Sequence, residues 1–293
     1  MAQATERALF DAVLRGFQVS SLAIAGSLLV TGSPYGSQTN YRGRLAVNGR
    51  VAWIVMELVS PAMLLYAYLG HPARDLGVVP AGGPGSESAH SGLAAWRTAR
   101  GALVLAWLVH YVYRALVYPL QQQARKPMHL GIALSAVVFN TVNGYLNGRW
   151  LAAFAPAELG QPFAAYVAAD ALRRGAGLAL FAAGLGGNIY HDSILTGLSR
   201  RQAALQTAAG ARARRYAVPH GGLFALVSCP HYLCELAEWL GYALVSGSPA
   251  AWTFLLNAAC NLVPRARLIH RWYRTTFAAE YPTSRTAIIP FLF

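Results

Sequence analysis

The sequence predicts an all-α integral membrane protein: one domain, residues 1–293, folded as a bundle of seven transmembrane helices with the N-terminus outside and the C-terminus cytoplasmic. Three observations predict it. The chain is 55% hydrophobic and 12% charged, about half the charge of an ordinary soluble domain, and its mean hydropathy is +0.36. Its apolar residues fill long runs instead of alternating or marking one helical stripe, and seven such runs approach the ~20 residues a span requires. Its basic residues gather in alternate loops, the pattern of a multi-pass chain under the positive-inside rule.

The elements follow in order. The first span, 8–31, precedes Arg42, Arg44 and Arg50. The second, 51–70, carries Glu57 in the stretch WIVMELVSP. An outer loop, 71–98, contains PAGGPGSESAHSG, a Gly/Ser/Pro linker; Arg74 and Arg97 of the loop, with Arg100 just inside the next span, are offset by Asp75 and Glu87. The third span, 99–118, precedes Arg125 and Lys126. After the fourth, 129–150, the outer loop holds only Glu158. The fifth, 164–187, precedes Arg200, Arg201, Arg212, Arg214 and Arg215, with a cytoplasmic connector at 202–215. The sixth and seventh, 221–246 and 249–268, are joined without charge, and Arg267, Arg271, Arg274 and Arg285 follow. The net charge of +13 thus reads as topology, and no nucleic-acid partner is expected.

Other chemistries are excluded by pattern. Cys229 and Cys234 in CPHYLC have no second ligand pair, so no metal site is expected, and with Cys260 they read as buried thiols. There is no G-x-x-x-x-G-K-[ST]. The run GLGGNIY starts as G-x-G but has Ile189 where the third glycine would stand, and no strand precedes it. Any dinucleotide must therefore be held in a helical cavity with arginines on its phosphates.

Ionisable residues at membrane depth are functional candidates, since each costs about 2.5–3.5 kcal/mol to insert at a helix centre. Glu57 lies mid-span. His110, Tyr111, Arg114 and Tyr118 follow on the third span, with 111, 114 and 118 spaced i, i+3, i+7 on one face. Asn188 and Asp192 are i, i+4. His231, Glu235, Glu238 and Tyr242 recur on the sixth span, and Arg265, His270 and Tyr273 close the seventh. An Arg114–carboxylate pair, or Tyr118 in an interfacial belt, would serve structure alone. The convergence of amide, carboxylate, imidazole and arginine on cytoplasm-side segments points instead to an anionic, hydrogen-bonding ligand.

Three stretches carry a resemblance. AWIVMELVSPAMLLY (52–66), VHYVYRALVYP (109–119) and the C-terminal segments GNIYHDSILTGL, YAVPHGGLFALVSCPHYLCELAEWLGYAL and RARLIHRWYRTTFAAEYPTSRTAIIPFLF resemble the steroid 5α-reductase family over nearly the whole chain. The resemblance implies NADPH-dependent reduction of the 4,5 double bond of a 3-oxo-4-ene steroid. It implies that Glu57 and Tyr111 bind the enone carbonyl and that Arg125, Asn188, Asp192, His231, Glu235, Arg265, His270 and Tyr273 contact NADPH. Tyr35 and Tyr216 are further transfers. Trp53, Met56, Arg114 and Tyr118 are expected on the substrate side, residues 1–150 forming mainly the substrate half and 164–293 the NADPH half. The steroid would enter from the bilayer and NADPH from the cytosol, into a monomer in the bacterial inner membrane or the endoplasmic reticulum according to source.

The sequence also departs from the family. Met56 stands where glutamine is usual, Ser199 where an arginine is expected, His231 where asparagine is common, and Ile269 precedes His270 in place of a histidine pair. Burial disfavours an ionised carboxylate, so Glu57 is expected to be neutral and to donate with Tyr111 to the oxygen that gains charge. Polyprenol or 2-enoyl-CoA reduction, and a methyltransferase of the isoprenylcysteine carboxyl type, are the alternatives. A transporter or receptor with a polar relay through Glu57 and Arg114 is disfavoured by the matched C-terminal tail.

Overall fold

A computed structural model describes residues 2–31, 43–70, 96–122, 125–209 and 216–292. Tyr35, Arg42, most of the Gly/Ser/Pro linker with Arg74, Asp75 and Glu87, and Arg212, Arg214 and Arg215 lie outside the described residues. Helix α1 spans Ala2–Thr31 and α2 Gly49–Leu69. Helix α3 runs Ala99–Tyr111, widens into a π-helical segment at Val112–Val117 and resumes at Tyr118–Gln121. Helix α4 covers Leu130–Arg149 and ends in a second π-helical turn, Trp150–Phe154. A short α5, Phe163–Ala168, precedes α6, Ala171–Ala209. Helices α7, Pro230–Ser246, and α8, Pro249–Phe277, complete the bundle.

Among the described residues, the stretches Ala4–Val30, Gly49–Leu69 and Ala99–Gln121 are long and apolar enough to cross a membrane. Their outer faces expose large apolar side chains, among them Val19 and Leu22 on α1, Tyr66 on α2 and Val109 on α3. The other long helices carry more polar residues.

Helix starts and stops follow local chemistry. Asn48 caps α2 by accepting from the Arg50 and Val51 amides at 3.0 and 3.1 Å. Thr98 and Ser248 cap α3 and α8 in the same way, and Pro230 and Pro249 sit in the first turn of α7 and α8. Gly247, at φ 66°, is a left-handed cap that turns α7 back into α8.

Three boundaries differ from the apolar runs. The run at 164–187 breaks at Ala169–Asp170, because the Asp170 carboxylate takes the Arg173 amide and guanidinium and starts a new helix. Helix α6 then continues for 39 residues, about 58 Å at 1.5 Å per residue, and absorbs 202–209 of the expected connector. The run at 221–246 opens with positive-φ glycines, Gly221 and Gly222, and a 3-10 turn, Gly222–Ala225, so the helix starts only at Pro230. The last helix continues past 268 to Phe277. An antiparallel pair, β1 (Ala46–Val47) and β2 (Met128–His129), ties the start of α2 to the start of α4.

Close contacts set the packing. Helix α4 carries Gly144 and Gly148, and a Cβ at either would strike the backbone carbonyls of Ser60 and Leu64 on α2. This small-xxx-small spacing lets the two backbones approach. Helix α1 is bound to α8 by Gln18 Nε2 donating to Thr253 Oγ1 at 3.0 Å and by Asn257 Nδ2 donating to the Phe17 carbonyl. At the end of the bundle where α3 begins, buried Arg149 pairs with Glu6 of α1 and Arg174 pairs with Glu158 at 2.7 Å. The C-terminal segment returns along α7: the Ser228 and Cys229 amides donate to the Thr286 and Ala287 carbonyls at 2.9 and 3.1 Å.

Candidate active site

The site is organised on α3. Tyr111, buried, closes the α-helical part, with its ring stacked on Trp107 at 5.5 Å. The π-helical segment begins one residue later, and a widened turn of this kind re-aims the side chains that follow. Tyr111, Arg114 and Tyr118 consequently do not form one simple face. Tyr111 turns towards Trp107 and Trp239, whereas the Arg114 guanidinium lies 5.0 Å from the ring centres of both Trp53 and Tyr118. Trp53 Nε1 donates to the Arg114 carbonyl at 3.0 Å.

Arg114 gathers the acids. Its Nη1 lies 3.3 Å from Asp192 Oδ2 on α6 and its Nη2 3.7 Å from Glu235 Oε2 on α7. Glu57 of α2 lies within electrostatic reach of Arg114, Glu235, His110 and Arg125. Glu57 also acts directly on Tyr111, whose hydroxyl borders Ser60 and Asn143. Pro61 inside α2 has no N–H for the Glu57 carbonyl, so the helix is opened one turn beyond the acid. The structure thus brings Trp53, Glu57, Tyr111, Arg114, Tyr118, Arg125, Asp192 and Glu235 into one neighbourhood. Arg125, beyond the apolar stretch of α3, sits 3.8 Å over the Trp53 ring, and burial pushes its pKa down to about 10.

Met56 is different. Its side chain packs with Met128 and Ala133 in a small apolar cluster, while its carbonyl accepts from Asn140 Nδ2 at 2.7 Å. The residue beside Glu57 therefore faces α4 and β2.

The remaining candidates continue towards the C-terminus. Asn188 is buried and donates from Nδ2 to the His231 carbonyl at 2.9 Å. His231 is within electrostatic reach of both Arg114 and Arg265, which links the two ends of the site, and Arg265 lies 5.4 Å over the Tyr232 ring. His270 Nδ1 is 2.6 Å from Ser228 Oγ, which is also 2.6 Å from the Tyr281 hydroxyl. Burial, reinforced by Arg274, holds His270 below the usual imidazole range. Tyr273 stacks on Tyr281 at 5.3 Å and 7°. A separate cavity of about 290 Å³ lies between the end of α6 and the end of α8, lined by Gln202, Tyr216, His220, Phe277 and Glu280.

Sequence reasoning missed several polar residues. Asn140, Asn143 and Asn147 form a buried stripe on α4, signalled by i, i+3, i+7 spacing but uncharged and therefore hidden in an apolar run. His191 is also buried. Its Nε2 accepts the Leu223 amide at 3.0 Å and its Nδ1 donates to the Gly187 carbonyl at 2.6 Å, so it is a neutral clamp on the Gly222–Ala225 turn. Among the described residues no three His, Cys, Asp or Glu side chains are arranged to hold a metal.

A family model described as 3-oxo-5-alpha-steroid 4-dehydrogenase matches residues 126–293. The chain belongs to the steroid 5α-reductase family. The 3-oxo-5-alpha-steroid 4-dehydrogenase 1 of Bos taurus is 34% identical over 292 residues, 98% of each chain. The human protein of that name is 35% identical over 267 residues, 90% of this chain and 87% of its own. A steroid 5-alpha-reductase of Solanum lycopersicum is 37% identical over 194 residues, 65% of this chain and 68% of its own. Membership makes the chain an oxidoreductase, and its apolar helices mark a membrane protein.

Proposed function

We propose that this member of the steroid 5α-reductase family uses NADPH to reduce the 4,5 double bond of 3-oxo-4-ene steroids. The observation that carries the reading is the convergence of Glu57 and Tyr111, from two apolar helices, beside the Arg114–Asp192–Glu235 cluster.

The residues suit a nicotinamide dinucleotide. Asp192 Oδ1, Glu235 Oε2 and His231 Nδ1 are buried and take no hydrogen bond, which suits ribose hydroxyls and an amide, while Arg125 and Arg265 suit phosphate. Asn188, His270 and Tyr273 complete the proposed cofactor set. When bound, the cofactor supplies a hydride.

Tyr111 and a neutral Glu57 donate to the steroid carbonyl oxygen and stabilise the negative charge that arrives there as the β-carbon is reduced. The apolar surroundings of α2 keep the acid neutral and exclude competing water. Trp53, Tyr118 and the stem of Arg114 border the reacting end of the steroid, and Met56 supports α2 from behind. The α-carbon of the enolate then takes a proton from water or a side chain, giving a 5α-3-oxosteroid.

The seven long helices are proposed as seven spans, N-terminus outside, with arginine-rich segments in the cytoplasm and lateral steroid entry into a monomer. The test is turnover of progesterone or testosterone by purified protein with NADPH. Polyprenol, 2-enoyl-CoA and S-adenosylmethionine arms run alongside. Reduction of only a lipid or CoA substrate, or stabilisation by S-adenosylmethionine and not NADPH, overturns the reading.

A further inference from the structure

His110 and Glu238 are ionisable, fully interior and unused by the mechanism above. His110 Nδ1 and Glu238 Oε1 are 2.8 Å apart, at 3% and 0% exposure. Such a pair is poor support for stability, because desolvating two charges offsets their attraction and apolar replacements often do as well. Its position indicates another use. One turn along α3 from His110 stands Arg114, and one turn back along α7 from Glu238 stands Glu235, its ion-pair partner. The two pairs form rungs of an antiparallel ladder between the helix that carries Tyr111 and the helix that carries Glu235.

The residues next to the inner rung make the aromatic contact. Tyr111 follows His110, Trp239 follows Glu238, and their ring centres are 6.4 Å apart. Trp107 packs on both, at 5.5 and 5.0 Å, while the His110 ring meets Tyr111 at 5.0 Å and Trp239 at 4.5 Å. From the other side, a Cβ on Gly184 of α6 would come within 2.7 Å of the Glu238 Cα, so α7 has no room to slide. We infer that His110 and Glu238 are positioning residues that fix the register of α3 against α7 and thereby aim the Tyr111 hydroxyl.

This inference rests on the proposed function, and the experiment separates the two. It is a double-mutant cycle with Tyr111→Phe, read as progesterone turnover with NADPH, with wild type run in parallel. An ångström of misplacement costs about 10²-fold in rate. His110→Ala and Glu238→Ala are therefore expected to lower kcat about 10- to 100-fold with steroid KM within about 3-fold. Steroid binding without NADPH, read by tryptophan fluorescence, should stay within the same factor. In the Tyr111→Phe background the same substitutions should cost less than about 3-fold, because the hydroxyl they aim is absent. Glu238→Gln and His110→Asn keep a hydrogen-bonding group at each position. They should lose about 3- to 10-fold, again only when Tyr111 is present, and they carry the cycle if the alanine variants fail to fold. Equal losses with and without the Tyr111 hydroxyl, or a loss confined to KM, overturn the positioning role. No enone turnover by wild type sinks the proposed function and this inference with it.

Discussion

Arg114 shows how one side chain can define a site in an apolar bundle. Its side chain is 11% exposed, and its guanidinium is shared by Asp192 and Glu235 while lying over two aromatic rings. Removing it strands two buried carboxylates, so Arg114→Met is expected to destabilise the protein by about 3–5 kcal/mol, seen as a lower unfolding midpoint in detergent. Adding Asp192→Asn and Glu235→Gln should recover most of that stability and none of the activity. Full activity in the triple variant would remove the cluster from the mechanism. For the reacting pair, Tyr111→Phe is expected to lower turnover about 10²–10³-fold, whereas Glu57→Gln keeps a donor and much of the steroid binding. Near-normal turnover by the double variant Glu57→Ala, Tyr111→Phe would sink the assignment. At this scale the sequence was informative where a charge interrupted an apolar run, as at Glu57 and Arg114. It passed over the Asn140–Asn143–Asn147 stripe, where uncharged amides lie inside an apolar run. It could not show that the Met56 side chain turns towards Met128, because spacing gives a helical face but not its neighbour.

At the scale of elements, apolar runs located the long helices, since burial and length are averages that a window of sequence can read. Breaks and register changes were harder to read. The interruption at Ala169–Asp170 depends on one carboxylate capping one turn, and the π-helical segment of α3 leaves no compositional trace. That segment nevertheless decides which way Arg114 points, because Tyr111 and Arg114 stand on either side of the step from α to π geometry. The α2–α4 contact was legible in principle from its Gly-x-x-x-Gly spacing. It sets the depth of Glu57 and Ser60 relative to Asn140 and Asn143. Gly148→Leu is expected to force α2 from α4, lower the unfolding midpoint and abolish steroid binding, as measured in detergent. Ala at the same site should do so more weakly, because a single methyl already strikes the Leu64 carbonyl. Unchanged steroid binding in Gly148→Leu would show that the α2–α4 spacing does not shape the pocket.

Across the whole molecule, the charge asymmetry and the C-terminal segment belong to one design. Helices α1, α2 and α3 expose apolar faces, while α6, α7 and α8 carry Asn188, Asp192, His231, Glu235, Arg265 and His270, on whose side the proposed phosphate-bearing cofactor would enter. The last residues close the polar end. Arg285 donates to the Pro219 carbonyl at 3.0 Å, Thr286 hydrogen-bonds to Leu226 at 3.0 Å, and Tyr281 meets Ser228, which holds His270. Removing this segment leaves the Glu57–Tyr111 pair intact but releases the irregular 216–229 segment and the aromatic stack of Tyr273 on Tyr281. Truncation after Glu280 is therefore expected to abolish thermal stabilisation by NADPH, while progesterone still quenches tryptophan fluorescence. Ser228→Ala, which loses the side-chain contacts to His270, Tyr281 and the Thr286 carbonyl but keeps the segment, should weaken NADPH about 3- to 30-fold, since a hydrogen bond contributes about 0.5–1.5 kcal/mol and leaving His270 unpaired adds to that. Retained NADPH stabilisation in the truncated chain would place the cofactor away from the C-terminal segment, and loss of both ligands would mean that the segment holds the whole bundle together.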